Sequence, residues 1–391
     1  MFINLNANSM KLIYCSFLFL LFGFICGCND SKFNLESTFP NGPLMKIKNY
    51  KLGLDELSSY EFFNVRAVGE DTLIVLNSVN YSLDFYHLEK GEMIHRIKIK
   101  NSGPEGLPRL YSFIYHNSDS IFLLPQFSLK GGMIINEKGE FVDRLNVGEI
   151  NLDLGTFVNH NSSGQSPSYI FGNKLYFTVN PLSTEFFPDG YTVEYELDLT
   201  DGNLKSLDFI QKPVMYLGNK MFLSQTLSRK KIGFNDWLYS WNMSDTLYLY
   251  SKKFEKVEVD KIYLGKDNPI EKTEVNGLTE EELLILNAKS HVYGNTVLQD
   301  SIIHRVRYVP MANPEDILFG SSNPYLVKDF EILSFDLRSR TFLGSTSFKG
   351  GVYDPRVIFS TNKGIYLPKI NPGYKELNEN FIEYDLFSIP D

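Results

Sequence analysis

Three kinds of side chain in this 391-residue sequence could carry chemistry, and their placement limits what that chemistry is. Cys15, Cys26 and Cys28 all lie within LIYCSFLFLLFGFICGCND, Leu12 to Asp30, so any thiolate nucleophile, disulfide or sulfur-ligated zinc site must come from that one stretch. The six histidines, His87, His95, His116, His160, His291 and His304, stand singly. None forms HxH or HExxH, and single histidines in strands more often pack or face solvent than bind metal. A Gly-x-Ser-x-Gly elbow, a P-loop and a Gly-x-Gly-x-x-Gly cradle are all absent. DLTDGN, Asp198 to Asn203, resembles a calcium loop but lacks the spacing and terminal glutamate, and reads as a hairpin.

Cations and large aromatics offer recognition in place of catalysis. SRKKIGFNDWLYSW, within an expected long loop from Leu227 to Ser244, holds both tryptophans, Trp237 and Trp241, beside Arg229, Lys230 and Lys231. Exposed indoles beside cations suit stacking on a sugar ring or anchoring a partner; the alternative is that both indoles pack beneath the loop. Arg305 and Arg307 alternate in HRVRYV and so share one side of a strand. With Arg356 they would line an anion-binding funnel, unless they are simply solvated.

The cysteine-bearing stretch is explained by targeting. Leu12 to Phe24 is a 13-residue apolar run after Lys11, the size of a signal-peptide core and short of the roughly 20 residues that span a bilayer. Ile25-Cys26-Gly27-Cys28 resembles the lipidation signal of bacterial lipoproteins, which implies a signal over residues 1–27 and acylation of Cys28. Residues 28–43 then form a lipidated linker and 44–391 the folded domain, anchored to a membrane through Cys28. Such a domain has no free thiol. Multiple acyl chains make a lasting tether, and Asn29 after the cysteine suggests the outer membrane by resemblance to lipoprotein sorting rules.

The chain carries a formal charge of −9, or −10 once the signal and its single Lys11 are removed. A diffuse acidic surface argues against nucleic acid as a partner. Aromatics make up 14% of the chain, with 31 Phe and 23 Tyr, which suits strands.

A weak phrase recurs six times: polar turn, apolar run, second apolar run, glycine or charged turn, last strand. It includes EDTLIVLN from Glu70, SDSIFLLP from Ser118, GNKLYFTVN from Gly172, GNKMFLSQT from Gly218, QDSIIHRVRYV from Gln299 and NKGIYLPKI from Asn362. The turn anchors Asp71, Asp119, Asn173, Asn219, Asp300 and Asn362 are 48, 54, 46, 81 and 62 residues apart. This spacing predicts an all-β fold, a six-bladed propeller of four-stranded blades. The 81-residue interval leaves room for a divergent seventh. The sixth unit lacks its last strand, and LMKIKNYKL, Leu44 to Leu52, is predicted to supply it by pairing with Phe381 to Ile389. Thr279 and Glu282 form a capping box that predicts a short helical insertion.

The lipidation signal, the length, the NSGPEG turn at Asn101 to Gly106 and the DSIF-style strands resemble a Bacteroides-type lipoprotein family of unknown function and, more loosely, six-bladed TolB-like propellers. The resemblance implies a fold and brings no catalytic residues. Alternating strand directions would gather most long connections on one face, where binding sites concentrate. The leading expectation is a non-enzymatic module, without cofactor or metal, that binds a glycan, peptide or envelope protein through that face. Two others stand beside it: a metal-dependent hydrolase or lyase using axial residues such as His160, Asp354 and Glu61, and a structural subunit of an envelope assembly.

Overall fold

The computed structural model describes residues 42–390, apart from 59–63, 127–128, 148–158, 161, 181–192, 208–209, 211–226, 234, 254–255, 265–277, 315–323 and 373. Cys28 and the signal expected over residues 1–27 therefore lie outside the described residues, as do Glu61 and the strand expected from Gly218.

The described strands form six antiparallel sheets, each a meander that follows the chain outward from the centre, and together they make a six-bladed β-propeller. Blade 1 comprises Val65–Val68, Thr72–Asn77, Ser82–His87 and Glu92–Lys98. Blade 2 comprises Leu110–Asn117, Ser120–Pro125, Met133–Ile135 and Phe141–Arg144. Blade 3 is built from Tyr169–Phe171, Lys174–Asn180, Glu194–Asp198 and Leu204–Ser206, with Asn159–His160 pairing onto its second strand. Blade 4 comprises Leu227–Lys231, Asp236–Trp241, Thr246–Lys253 and Lys256–Tyr263, and blade 5 Val292–Gln299, Ile302–Tyr308, Phe330–Asp336 and Thr341–Phe348.

Blade 6 takes Phe359–Thr361, Gly364–Pro368 and Phe381–Ser388 from the C-terminal end and Met45–Gly53 from the N-terminal end. The pairing runs from Met45 opposite Ser388 to Gly53 opposite Phe381, which is the predicted ring closure. Charges reinforce the join: Asp385 accepts from Lys46 at 2.8 Å and from Asn49 at 2.8 Å, and Glu383 pairs with Lys51 at 3.0 Å. Gly91, in the last hairpin of blade 1, sits against this strand with φ of 71°, and a Cβ there would lie 1.8 Å from the Lys51 carbonyl oxygen. Glycine is required on both counts.

Second strands such as TLIVLN in blade 1, SIFLLP in blade 2 and GIYLP in blade 6 are buried along nearly their whole length. They face a neighbouring blade on each side, which is why they read as continuous apolar runs without alternation. In blade 1, Leu73 and Val75 pack toward Tyr366 and Tyr384 of blade 6, while Ile74 and Leu76 pack toward Phe113 and Leu123 of blade 2. The core is thus a set of blade-to-blade layers.

Blade 4 departs from the expected plan. Leu227–Lys231 and Asp236–Trp241 pair in register from Leu227 opposite Trp241 to Lys231 opposite Trp237, so the expected long loop is the inner hairpin of the blade. The Ile232 and Gly233 amides both donate to the Asp236 carbonyl where the hairpin closes, which makes Asn235 the anchor of this blade. The intervals from Asn173 to Asn235 and from Asn235 to Asp300 are then 62 and 65 residues, and the gap that could have held a seventh blade closes. The strand that opens this blade, LSRKK, is too cationic to read as buried from the sequence.

The predicted helix is present as α1, Glu280–Lys289, with Thr279 accepting from the Glu282 backbone and Glu282 reaching back to Thr279. Its C-terminal carbonyls at Asn287 and Ser290 accept from the buried Lys328 ammonium at 2.8 and 2.6 Å, a cation where the helix dipole favours one.

Candidate functional site at the mouth of the propeller axis

In these meanders the link into each blade and the turn between its second and third strands lie at one end, opposite the tight first-to-second turns. A cavity of about 390 Å³ opens at that end, beside the innermost strands. Asn64 and Leu76 of blade 1, Tyr111 of blade 2, Ser163 and Gln165 in the link to blade 3, and Arg356 in the link to blade 6 line it. Such a size suits a small ligand or one residue of a larger one.

Each lining group has a local reason for its place. Asn64 donates to the Tyr111 carbonyl at 2.8 Å, tying blade 1 to blade 2. Asp354 caps a short turn at Pro355–Val357 and grips the Arg356 head through Nε at 2.8 Å and Nη2 at 2.6 Å, which sets the guanidinium at the rim with 31% of its side chain exposed. Gln165 lies in the serine-rich segment SSGQSPS. There Ser163 and Ser166 bond one another's backbone, and the Gln165 carbonyl accepts from the Arg229 amide and the Ser228 hydroxyl, both at 3.1 Å.

Two cations stand close to the cavity without lining it. Arg66 follows Asn64 by two residues on the inner strand of blade 1, hence on the same side of it and about 7 Å further along. Its Nη2 is fully shielded from solvent and has no acceptor among the described residues. Lys230, on the inner strand of blade 4, donates from Nζ to the Gly164 carbonyl at 2.9 Å, between the two cavity residues Ser163 and Gln165. Blades 1 and 4 face one another across a ring of six, so these side chains meet at the axis. Burial pulls both below their ordinary values, Lys230 well below, with the Arg66 and Arg229 charges adding to the effect on Lys230.

The other expected binding residues are placed differently. Trp237 and Trp241 are only 4% and 3% exposed. Trp237 packs on Tyr169 and Tyr176, and Trp241 stacks on Tyr239 and meets Tyr248 edge-on. The stacking chemistry expected for a sugar is taken up inside the protein: the Arg229 guanidinium lies 5.3 Å from the Trp237 ring centre and Lys231 Nζ 5.0 Å from it. Arg229 itself is fully buried between blades 3 and 4, where it bonds Glu194 and the Pro167 carbonyl. Burial pushes Glu194 up to about 7, against the pull of Arg229 and Tyr239.

Arg305 is also fully buried, bonding the Trp241 and Ser244 carbonyls at 2.9 and 2.6 Å under the Tyr293 ring. Arg307 pairs with Glu331 on the adjacent strand. Of the three arginines expected to form one funnel, only Arg356 reaches the cavity.

Asp354 is engaged by Arg356, and His160 pairs through its backbone with Val179. Among the described residues, no three His, Cys, Asp or Glu side chains gather as a metal site would require. The NSGPEG turn is a shaped blade link, clasped by Arg144 through the Pro104 and Gly106 carbonyls at 2.6 and 2.9 Å. Sequence reasoning missed Arg66 and Tyr111 entirely; the one available signal was an arginine interrupting the short inner strand VRAV.

A six-bladed propeller with a cavity at its axial mouth is the class that fold and site define. Residues 51–299 match the domain of unknown function DUF4221, and the chain belongs to that family. The structure is similar to the crystal structure of a DUF4221 member from Bacteroides vulgatus, with a TM-score of 0.74 at 17% identity over 89% of this chain and 98% of that one. It is also similar to an exported protein of Bacteroides fragilis, with a TM-score of 0.52 at 14% identity over 89% and 96% of the two chains. None of the curated proteins matches this chain. No helix among the described residues is long and apolar enough to cross a membrane.

Proposed function

We propose that this protein is a lipid-tethered binding module of the cell envelope that recognises a glycan, a peptide or an envelope protein through its loop-rich face. The observation that carries the reading is the cavity at the axial mouth, where four successive blades and links, 6, 1, 2 and 3, each contribute a polar side chain. Convergent polar groups from separate elements on a rigid ring are what a recognition site needs. The tether is acylated Cys28 after removal of residues 1–27, with 28–43 as linker to the domain over 44–391, and the outer membrane is its location. A structural relative described as exported supports a place in the cell envelope.

The experiment is capture from solubilised envelope by the full chain in detergent, compared with Tyr111→Ala and Arg356→Ala. The expected result is a component retained by the parent and depleted at least tenfold with either variant, both melting at the parent temperature. Equal retention by all three would remove the cavity from recognition.

A further inference from the structure

Two cations next to the cavity, outside its lining, are more informative than its rim. Arg66 brings a guanidinium whose Nη2 is shielded from solvent and meets no acceptor among the described residues. Lys230 brings an ammonium with one described acceptor, the Gly164 carbonyl at 2.9 Å, out of three donor positions. The neighbouring cation, Arg229, is neutralised by Glu194, and that carboxylate also accepts from Tyr239 at 2.9 Å, so it is not available to the axis. Asp354 is likewise committed to Arg356. Among the described residues no ion pair reaches Arg66 or Lys230, so two opposed blades present cationic groups to one point. Shielded donors left without acceptors are costly to keep; Arg229 Nε is another, but its guanidinium is bonded through its other nitrogens, whereas Arg66 has no described acceptor, which makes a group that satisfies it the economical explanation.

We propose that the ligand of the cavity carries an oxyanion, a carboxylate or a phosphate, that passes the Arg356 rim and is held at the propeller axis by Arg66 Nη2 and Lys230 Nζ. This inference rests on the binding-module reading and narrows it to acidic ligands such as uronic acid sugars, phosphorylated glycans or peptides presenting a carboxylate. Arg66 supplies the planar donor edge that suits two oxygens, and Lys230 an amine opposite it whose protonated form an arriving anion stabilises. Asn64, Tyr111 and Gln165 line the cavity in front of them.

The test is isothermal titration of the full chain in detergent with three probes: D-galacturonate, inorganic phosphate and neutral D-galactose. Binding of galacturonate or phosphate, with galactose at least tenfold weaker, is the expected result, and whichever anion binds tells carboxylate from phosphate. Arg66→Gln should weaken that anion at least tenfold and Arg66→Lys should restore part of it, while melting temperature without ligand does not fall. A fall in melting temperature without change in anion affinity would assign Arg66 to structure and overturn the proposal. So would galactose binding as tightly as galacturonate, or no anion binding at millimolar concentration. In these cases the envelope capture by Tyr111 and Arg356 variants still decides the wider reading, so the two fail separately.

Discussion

The layer between blades 3 and 4 holds a buried cation and the propeller axis two half-buried ones, and they differ in how fully each is partnered. In the layer, Arg229 has Glu194, two carbonyls and two aromatic faces around it. At the axis, Arg66 and Lys230 have one described acceptor between them. A charge surrounded by its own protein's partners holds the fold in one arrangement. A charge left short of partners adds nothing to that arrangement and is available to something else. The tryptophan-rich hairpin belongs to the first kind and the plain strand VRAV to the second, the reverse of what exposed-looking aromatics and cations suggest.

The comparison can be broken most forcefully at Arg229. Replacing Arg229 with Met leaves Glu194 buried without its cation and should cost about 3 to 5 kcal/mol in denaturant unfolding. Adding Glu194→Gln to that variant should recover a good part of the loss. A cost near zero for the single variant would mean that the layer does not depend on the pair.

A third way of burying a titratable group sharpens the contrast. His304, inside blade 5, bonds Ser334 at 3.0 Å and Gln299 at 3.2 Å, and burial pushes it down to about 3. The folded state binds the proton less readily than the unfolded chain, whose value is near 6.5. The resulting stability is fully present above pH 6.5 and is lost as pH falls toward 3, by about 3 kcal/mol at pH 4. Urea titrations across that range should show the slope, and His304→Gln should flatten it. An unchanged slope would place the acid sensitivity elsewhere.

The smallest expected effect is the most discriminating. Arg66→Met should leave ligand-free stability within about 0.5 kcal/mol of the parent or raise it, because it removes a half-buried charge that has no described acceptor. A loss above about 2 kcal/mol would show that Arg66 serves the fold as Arg229 does, and the distinction between the two regions would vanish.

Much of the architecture was legible in the sequence. Paired apolar runs such as TLIVLN and SLDFYH, separated by turns, specify antiparallel hairpins locally, and their repetition specifies blades. The missing last strand of the sixth unit and the unassigned Leu44 to Leu52 segment together specified ring closure, because an open edge of main-chain donors and acceptors needs a partner. Thr279 and Glu282 specified the helix start through bonds within one turn. These features depend on neighbours in sequence or on a count of strands, so a linear reading reaches them.

The site was not legible, and blade 4 shows why. LSRKKIGFNDWLYSW looks like an exposed loop because its charges have no visible partners nearby in sequence; the partners are Glu194, Pro167 and Tyr176 in blade 3. Whether an arginine is satisfied is decided across blades, between residues some 35 to 60 positions apart. The same holds in reverse at the axis, where Arg66 and Lys230 stand 164 positions apart in the chain and become neighbours only because ring closure sets blade 1 opposite blade 4. The sequence by itself determined strands, blades, closure and the helix cap, all of which are local bonding or repetition. Only the tertiary structure decided which buried charges are neutralised and which face the axis, because electrostatic partnership depends on distance through space.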